Sequence, residues 1–366
     1  MTGPGSLLPP IRADGRLDRV REATSRAGAD ALVVSDLTNV RWCTGFTGSA
    51  GVLVVTPESA TLVTDSRYAT QAPAQIDETG ARVEVQVSAD TVVAGAALLV
   101  GWSRVALEAD HISWAGQQQW AATLDTELVA TRSMITELRS VKDDAELARM
   151  QRAAAIVDEV LAEVVDLLVP GTTEREVAAA LDDGMRARGA SGPAYETIVA
   201  GGPNAALPHA RPGDRAFVDG DLVVIDAGSV VDAYRSDMTR TFAVGTADRT
   251  ATTIHDLVTR AQAAGVAAVR AGVAVSEIDQ VCRSLITEEG YGPEFGHGTG
   301  HGVGLDIHEL PSVRAGNAAI LQPGQVITVE PGIYLPGVGG VRVEDMVVVT
   351  DDGCRSLTRS PKFSLK

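Results

Sequence analysis

Residues 222–244 read LVVIDAGSVVDAYRSDMTRTFAV, two apolar runs joined by a short polar stretch, with Asp226 ending the first run and Asp237 starting the second. Apolar runs of this length, broken by Gly, Ser and Asp, read as strands. A hairpin would bring the two carboxylates together. Two later segments share this character. VITVEPGIYL (326–335) sets Glu330 at the end of an apolar run just ahead of Pro331 and Gly332, and VRVEDMVVVT (341–350) sets Glu344 in a further strand between Val343 and Asp345. Carboxylates embedded in apolar strands are costly to desolvate unless a cation or a partner neutralises them.

The segment FGHGTGHGVGLDIHE (295–309) places His297, His301 and His308 among five glycines. Each interior glycine costs a helix about 1 kcal/mol relative to alanine, so an irregular loop or bent strand is expected, open to close approach by backbone and ligand. Taken singly, each acid or histidine has an ordinary explanation. Asp226 could cap a turn, Glu344 could pair with Arg342, and the histidines could sit on a surface loop. Together, Asp226, Asp237, His301, Glu330 and Glu344 read as a two-metal hydrolase centre, with ions about 3.5 to 4 Å apart sharing one activated water. An oxygen-rich set with one imidazole suits Mn²⁺, Co²⁺, Fe²⁺ or Zn²⁺.

The strings GGPNAALPHARP (201–212), VIDAGSVVDAYRSDMTRT (224–241), HGTGHGVGLDIHE (297–309), TVEPGIY (328–334) and GVRVEDM (340–346) resemble, in order and spacing, those of the pita-bread Xaa-Pro peptidases, aminopeptidase P and prolidase. The match is strong over about residues 135–360. NVRWCTGFTGSAGVLVV (39–55) and LVTDSRYATQA (62–72) resemble the same family's N-terminal domain less specifically. The resemblance implies that Asp226 binds one metal, that Asp237 and Glu344 bridge both, and that His301 and Glu330 complete the second. Glu330 is then ligand or proton acceptor, which the sequence does not separate. By the same resemblance His209 lies over the metals, stabilising the tetrahedral intermediate or shuttling a proton. His297 and His308 line the pocket for the substrate's proline side, with His308 near the scissile bond, and Arg342 with Tyr334 holds Asp226. His111 and His255 receive no role.

The implied activity is hydrolysis of the Xaa-Pro bond at the N-terminus of proline-containing peptides, with two divalent ions, most readily Mn²⁺, as cofactor. Aminopeptidase P is the main reading and prolidase the alternative. A dipeptidase needs a cationic or donor group for the proline carboxylate, and Arg211, Arg235, Arg240 and Arg342 are the candidates in the matched segments. Arg342 is already matched to Asp226, so no free clamp is expected, and a tripeptide should be cleaved at least as well as a dipeptide. A creatinase-like hydrolase or a non-catalytic binding protein on the same fold would have lost ligands, and all five are intact. A methionine aminopeptidase would lack the N-terminal domain.

The remaining composition fits an α/β chain of two domains. Its 366 residues are 45% apolar but only 4% aromatic, so Ala, Val and Leu must fill the cores. A formal charge of −17 argues against a nucleic-acid backbone or an anionic membrane as partner. Three widely separated cysteines suggest no disulfide framework and a reducing compartment. With no long apolar run, a cytoplasmic protein is expected, and relatives of this kind imply a homodimer. Residues 1–10 are expected to be disordered, 11–135 to form a creatinase/prolidase-like α/β domain, and 136–366 to form the pita-bread catalytic domain. In the first, ALVVS, GVLVVT and ATLVT alternate with helices over 16–28 and 112–122. In the second, one long amphipathic helix should run from Ser140 or Asp143 to Pro170-Gly171. Gly171 with Gly189 and Gly272 with Gly290 then share one offset of 101 residues. That offset predicts an internal repeat, each half a helix followed by two acid-bearing strands about a pseudo-two-fold axis.

Overall fold

The computed structural model describes residues 8–365. The first seven of the ten residues expected to be disordered lie outside the described residues, and Leu8, Pro9 and Pro10 belong to no regular element. The chain forms two compact units, one ending at Arg139 and one beginning at Ser140.

The first unit is built on a six-stranded mixed sheet in the order Glu84–Val87, Ala60–Thr64, Val52–Val55, Ala31–Val34, Arg104–Glu108, Glu127–Thr131. Ala31–Val34 and Val52–Val55 are buried at every position, the unbroken apolar pattern of strands covered on both faces. Helices form at Arg16–Arg26 and at Trp114–Thr123, the latter capped by the Ser113 hydroxyl. At the end of strand Arg104–Glu108, Glu108 accepts hydrogen bonds from the amides of Ser35 and Asp36 and from Asn39, fixing the start of helix Leu37–Thr44.

In the second unit the long helix runs over Asp144–Val164, shorter than the sequence suggests. Asp143 is its N-cap in a reciprocal capping box with Glu146, and the chain tightens into a 3-10 turn at Val165–Leu167 ahead of Pro170. The repeat is present in the backbone. Helices Glu174–Ala187 and Val275–Glu288 both have 14 residues and are 101 residues apart at each end. Their approaches match as well: Gly171 N bonds Phe217 O where Gly272 N bonds Leu321 O. After each helix comes a three-strand core of the same order. Thr239–Ala243, Leu222–Asp226 and Ile198–Gly201 correspond to Asp345–Val349, Val326–Val329 and Gly300–Gly302, all antiparallel, with one more strand on each side of the second set.

Two expectations about the acids need correction. The strands Leu222–Asp226 and Thr239–Ala243 pair directly, with Thr239 opposite Asp226, but a small ribbon, Val230–Val231 with Tyr234–Arg235, is inserted between them. Asp237 therefore stands two residues ahead of the second strand. Glu344 is also outside a strand: Gly339–Arg342 pairs with Gly332–Leu335, whereas Asp345–Val349 pairs with Val326–Val329, and Val343–Glu344 is the joint where the chain changes sheets. A junction frees the side chain from the alternation of either ladder.

The histidine-bearing loop is tied to the start of this unit by Lys142, whose Nζ lies 3.0 Å from Glu309 Oε2 with both side chains 1% exposed. Removing one partner of a buried ion pair leaves the other charge uncompensated. Lys142→Met is therefore expected to destabilise the protein by about 3 to 5 kcal/mol in chemical denaturation. The double variant Lys142→Met/Glu309→Met should recover most of that loss, and a double variant as unstable as the single one would show that the pair is not the cause.

Candidate metal centre and its pocket

All five predicted ligands line one cavity of about 530 Å³, together with His209, His297, His308, Tyr334 and Arg342. Asp237, His301 and Glu344 each offer a ligand atom, all within 4.8 Å of one another. His301 Nε2 lies 3.4 Å from Asp237 Oδ2 and 3.3 Å from Glu330 Oε1. Its other nitrogen, Nδ1, is 3.0 Å from the Gly302 carbonyl, which fixes the ring and leaves Nε2 facing the acids. Asp226 joins the group through the sheet, one end of its carboxylate held by Arg342 Nη2 at 2.7 Å.

The glycines explain how a histidine can reach this depth. A Cβ at Gly300 would come within 2.0 Å of the Thr328 carbonyl and one at Gly302 within 2.2 Å of the Leu310 carbonyl. Only glycine on either side of His301 allows the three-residue strand Gly300–Gly302 to lie between its neighbours.

The charge balance is unfavourable without cations. Burial drives the Asp237 carboxyl up to about 8, with Asp226 and Glu330 adding and His301 opposing. Burial and then Asp237, Glu330 and Asp226 push Glu344 well above the carboxylate range. Burial lowers the His301 value, but Glu330 and Asp237 outweigh it and leave the imidazole raised. Divalent cations are the ligands that such a donor set fits, since they replace protons on hard oxygens. The residues that would hold them are the four carboxylates and His301.

Around the acids runs a fixed hydrogen-bond frame. Arg342 donates through Nε to Thr239 Oγ1 (3.0 Å) and through Nη1 to Tyr334 Oη (2.9 Å), and Thr239 in turn donates to Glu344 Oε2 (2.7 Å). His297 Nε2 lies 3.0 Å from Tyr334 Oη, and burial holds the His297 imidazole below its ordinary pKa. His308 stacks edge-on to His301 with ring centroids 4.4 Å apart. His209 is exposed in the turn after Pro208, on the cavity wall.

Three participants have no signal in the sequence motifs. The Tyr195 hydroxyl is hydrogen-bonded to both Asp226 and Asp237, and its phenol is raised well above the ordinary value by burial and those acids. Its partners are 31 and 42 residues away, beyond the reach of any local pattern. Thr239 is one of several strand threonines. Arg314 follows the histidine segment, lines the cavity, and makes no side-chain ion pair or hydrogen bond among the described residues.

Comparison with known proteins agrees with this picture. Residues 148–351 match metallopeptidase family M24, and residues 16–141 match the creatinase/prolidase N-terminal domain. The chain belongs to metallopeptidase family M24. It is 38% identical to the uncharacterized peptidase YqhT of Bacillus subtilis over 95% of this chain and 98% of that protein. It is 33% identical to an Xaa-Pro dipeptidase of Pyrococcus horikoshii over 95% of this chain and 97% of that protein. The structure of an Xaa-Pro dipeptidase from Bacillus anthracis superimposes with a TM-score of 0.92 at 36% identity, covering 96% of this chain and 99% of that one. The protein is thus a metal-dependent peptidase with a pita-bread catalytic unit.

The frame predicts that Arg342→Lys, which keeps the charge but loses the fork, weakens divalent-metal affinity about 10- to 100-fold, as loss of a group that orients ligands does. Metal titration followed by calorimetry measures it. Unchanged affinity would reduce Arg342 to a purely structural role.

Proposed function

We propose that the protein is an Xaa-Pro dipeptidase, a prolidase, rather than an aminopeptidase P. The observation that supports this is Arg314. The four arginines considered from the motifs are all engaged: Arg211 with Glu196 at 3.1 Å, Arg235 with the Leu305 and Ala194 carbonyls, Arg240 with Asp345 at 2.7 Å, and Arg342 with Asp226 at 2.7 Å. Arg314, not among those four, lines the cavity with His297, Gly298 and Ser312, and its guanidinium has no partner among the described residues. A guanidinium suits the free carboxylate of a C-terminal proline, and two of the three relatives named above are Xaa-Pro dipeptidases.

In this reading Asp226, Asp237, His301, Glu330 and Glu344 would hold two divalent ions, Mn²⁺ by preference over Co²⁺, Zn²⁺ or Fe²⁺, given oxygen donors and one imidazole. Those ions supply Lewis acidity and a water of lowered pKa. Glu330 would serve as the proton acceptor there, its Oε1 held by the Thr328 hydroxyl at 3.2 Å. His209 donates to the developing oxyanion or to the departing imino nitrogen, while His297 and His308 bound the proline ring. The Xaa-Pro amide has no N–H, so the site recognises ring shape and carboxylate instead of an extended backbone. We place the enzyme in the cytoplasm as a homodimer; among the described residues no helix is long and apolar enough to cross a membrane.

Two outcomes test this. Glu344→Gln or Asp237→Asn is expected to abolish turnover and lower bound metal with little change in the far-UV spectrum; full activity in either would end the two-metal reading. Arg314→Ala is expected to raise KM for an Xaa-Pro dipeptide about tenfold or more while leaving KM for the matching Xaa-Pro-Xaa tripeptide within about twofold. Wild-type enzyme that cleaves the tripeptide as well as the dipeptide would return the assignment to aminopeptidase P.

A further inference from the structure

His209 is carried by a segment with little regular structure of its own. Residues 201–213 pass through a 3-10 turn at Gly202–Ala206, turn again at Pro208 and His209, and run irregularly to Gly213. Yet both ends of this segment are fastened to a single carboxylate. Glu174, the first residue of helix Glu174–Ala187, is 0% exposed. Its Oε1 accepts from Gly201 N at 2.8 Å and from Asn204 Nδ2 at 2.9 Å, and its Oε2 accepts from Gly213 N at 2.9 Å. A carboxylate stripped of water survives only where its lone pairs find donors. Here the three donors belong to the segment that bears His209. Arg215, which feels the Glu174 charge, is itself committed to Asp221 through two bonds of 2.7 and 2.9 Å.

The second half of the repeat shows what the fold requires at this position. Val275 occupies the matching place at the start of helix Val275–Glu288, and it too is fully buried. The backbone around it is the same: Glu174 N bonds Arg215 O at 3.2 Å, and Val275 N bonds Ala319 O at 2.9 Å. An apolar side chain therefore suffices to seat the helix. The carboxylate in the first half does something the scaffold does not need, and what it touches is the 201–213 segment.

From the opposite side the segment meets the frame of the acid cluster. A Cβ at Gly340 would come within 2.2 Å of the Ala205 carbonyl, so that strand and the 3-10 turn lie backbone to backbone. Arg342 Nη1 reaches the Pro208 carbonyl at 3.3 Å, one residue before His209. The segment is thus clamped between Glu174 and the same arginine that holds Asp226.

We propose that Glu174 is the positioning residue for His209, setting the span of the 201–213 segment and hence where the imidazole stands over the acids. The inference rests on the role proposed above for His209. A displacement of about 1 Å in a group that acts on the transition state costs on the order of 10²-fold in rate, so the effect belongs in kcat and not in KM or metal content.

The experiment is a double-mutant cycle on the metal-loaded full chain, with Glu174→Val, His209→Ala and the double variant, assayed on one Xaa-Pro dipeptide alongside bound metal and Tm. Glu174→Val copies the residue of the other half. It is expected to fold and keep its metal, with kcat lowered about tenfold or more and KM within about threefold. The double variant is expected to be no slower than His209→Ala alone. Glu174→Gln, which keeps one acceptor oxygen, should lie between wild type and Glu174→Val, and it replaces the valine variant in the cycle if that variant does not fold. A kcat for Glu174→Val within twofold of wild type, losses that multiply in the double variant, or metal lost in step with kcat would each overturn the proposal. If His209→Ala alone leaves kcat unchanged, the role of His209 falls, and a slow Glu174→Val would then mean that it acts on some other group.

Discussion

Four carboxylates facing one another along one cavity repel strongly, and Arg342, bonded to Asp226, offsets only part of that charge. The rest of the second unit can be read as the means of bearing this repulsion. Protons relieve it when cations are scarce, as the upward displacement of Asp237 and Glu344 indicates. Divalent ions relieve it better, because each offsets two charges at fixed oxygen atoms. The hydrogen-bond frame of Arg342, Thr239, Tyr334 and Tyr195 keeps the acids from turning away to solvent when neither is bound.

The pseudo-symmetry supplies backbone, and the departures from it supply chemistry. Matched helices and matched three-strand cores bring two strand ends from each half to a common floor. What lies on that floor is not symmetric. The second half contributes His301 on a glycine-flanked strand, whereas the matching strand of the first half, Ile198–Gly201, is followed by the turn that leads to His209. Each half also secures its loop differently: Glu174 binds the 201–213 segment, whereas Asp279 binds Thr299 and Arg283 binds the carbonyls of Phe295 and His297.

Much of this was legible in the chain before any coordinates. Acids in apolar strands signal a cation because the cost of burying them is large and local, and the 101-residue offset was visible in four glycines at helix boundaries. The exact settings were not. Asp237 and Glu344 were read as strand residues because the surrounding apolar letters continue past the hydrogen-bonded ladder; only the pairing partners reveal where a strand stops. Tyr195 and Glu174 carry no signal in the sequence for a related reason. Their meaning lies in contacts made by a buried polar atom with residues 27 to 42 positions away, and neither has a neighbour in sequence that hints at them. Arg314 lies just beyond the histidine motif, where no local pattern marks it.

The order in which these contacts can form has a consequence for the newly made chain. Within each half the ladders close over short distances, Thr239 with Asp226 and Asp345 with Val329. The contacts that join the halves do not: Arg342 reaches back 116 residues to Asp226, Glu344 reaches 105 to Thr239, and Asp345 reaches 105 to Arg240. Loop closure of that length comes after the local pairs have formed. On the ribosome, where the N-terminal portion emerges first, Asp226 and Asp237 are in place long before Glu344 exists. A nascent chain that has not yet reached Glu344 therefore carries only part of the acid cluster, and the cluster closes only when the second half folds onto the first.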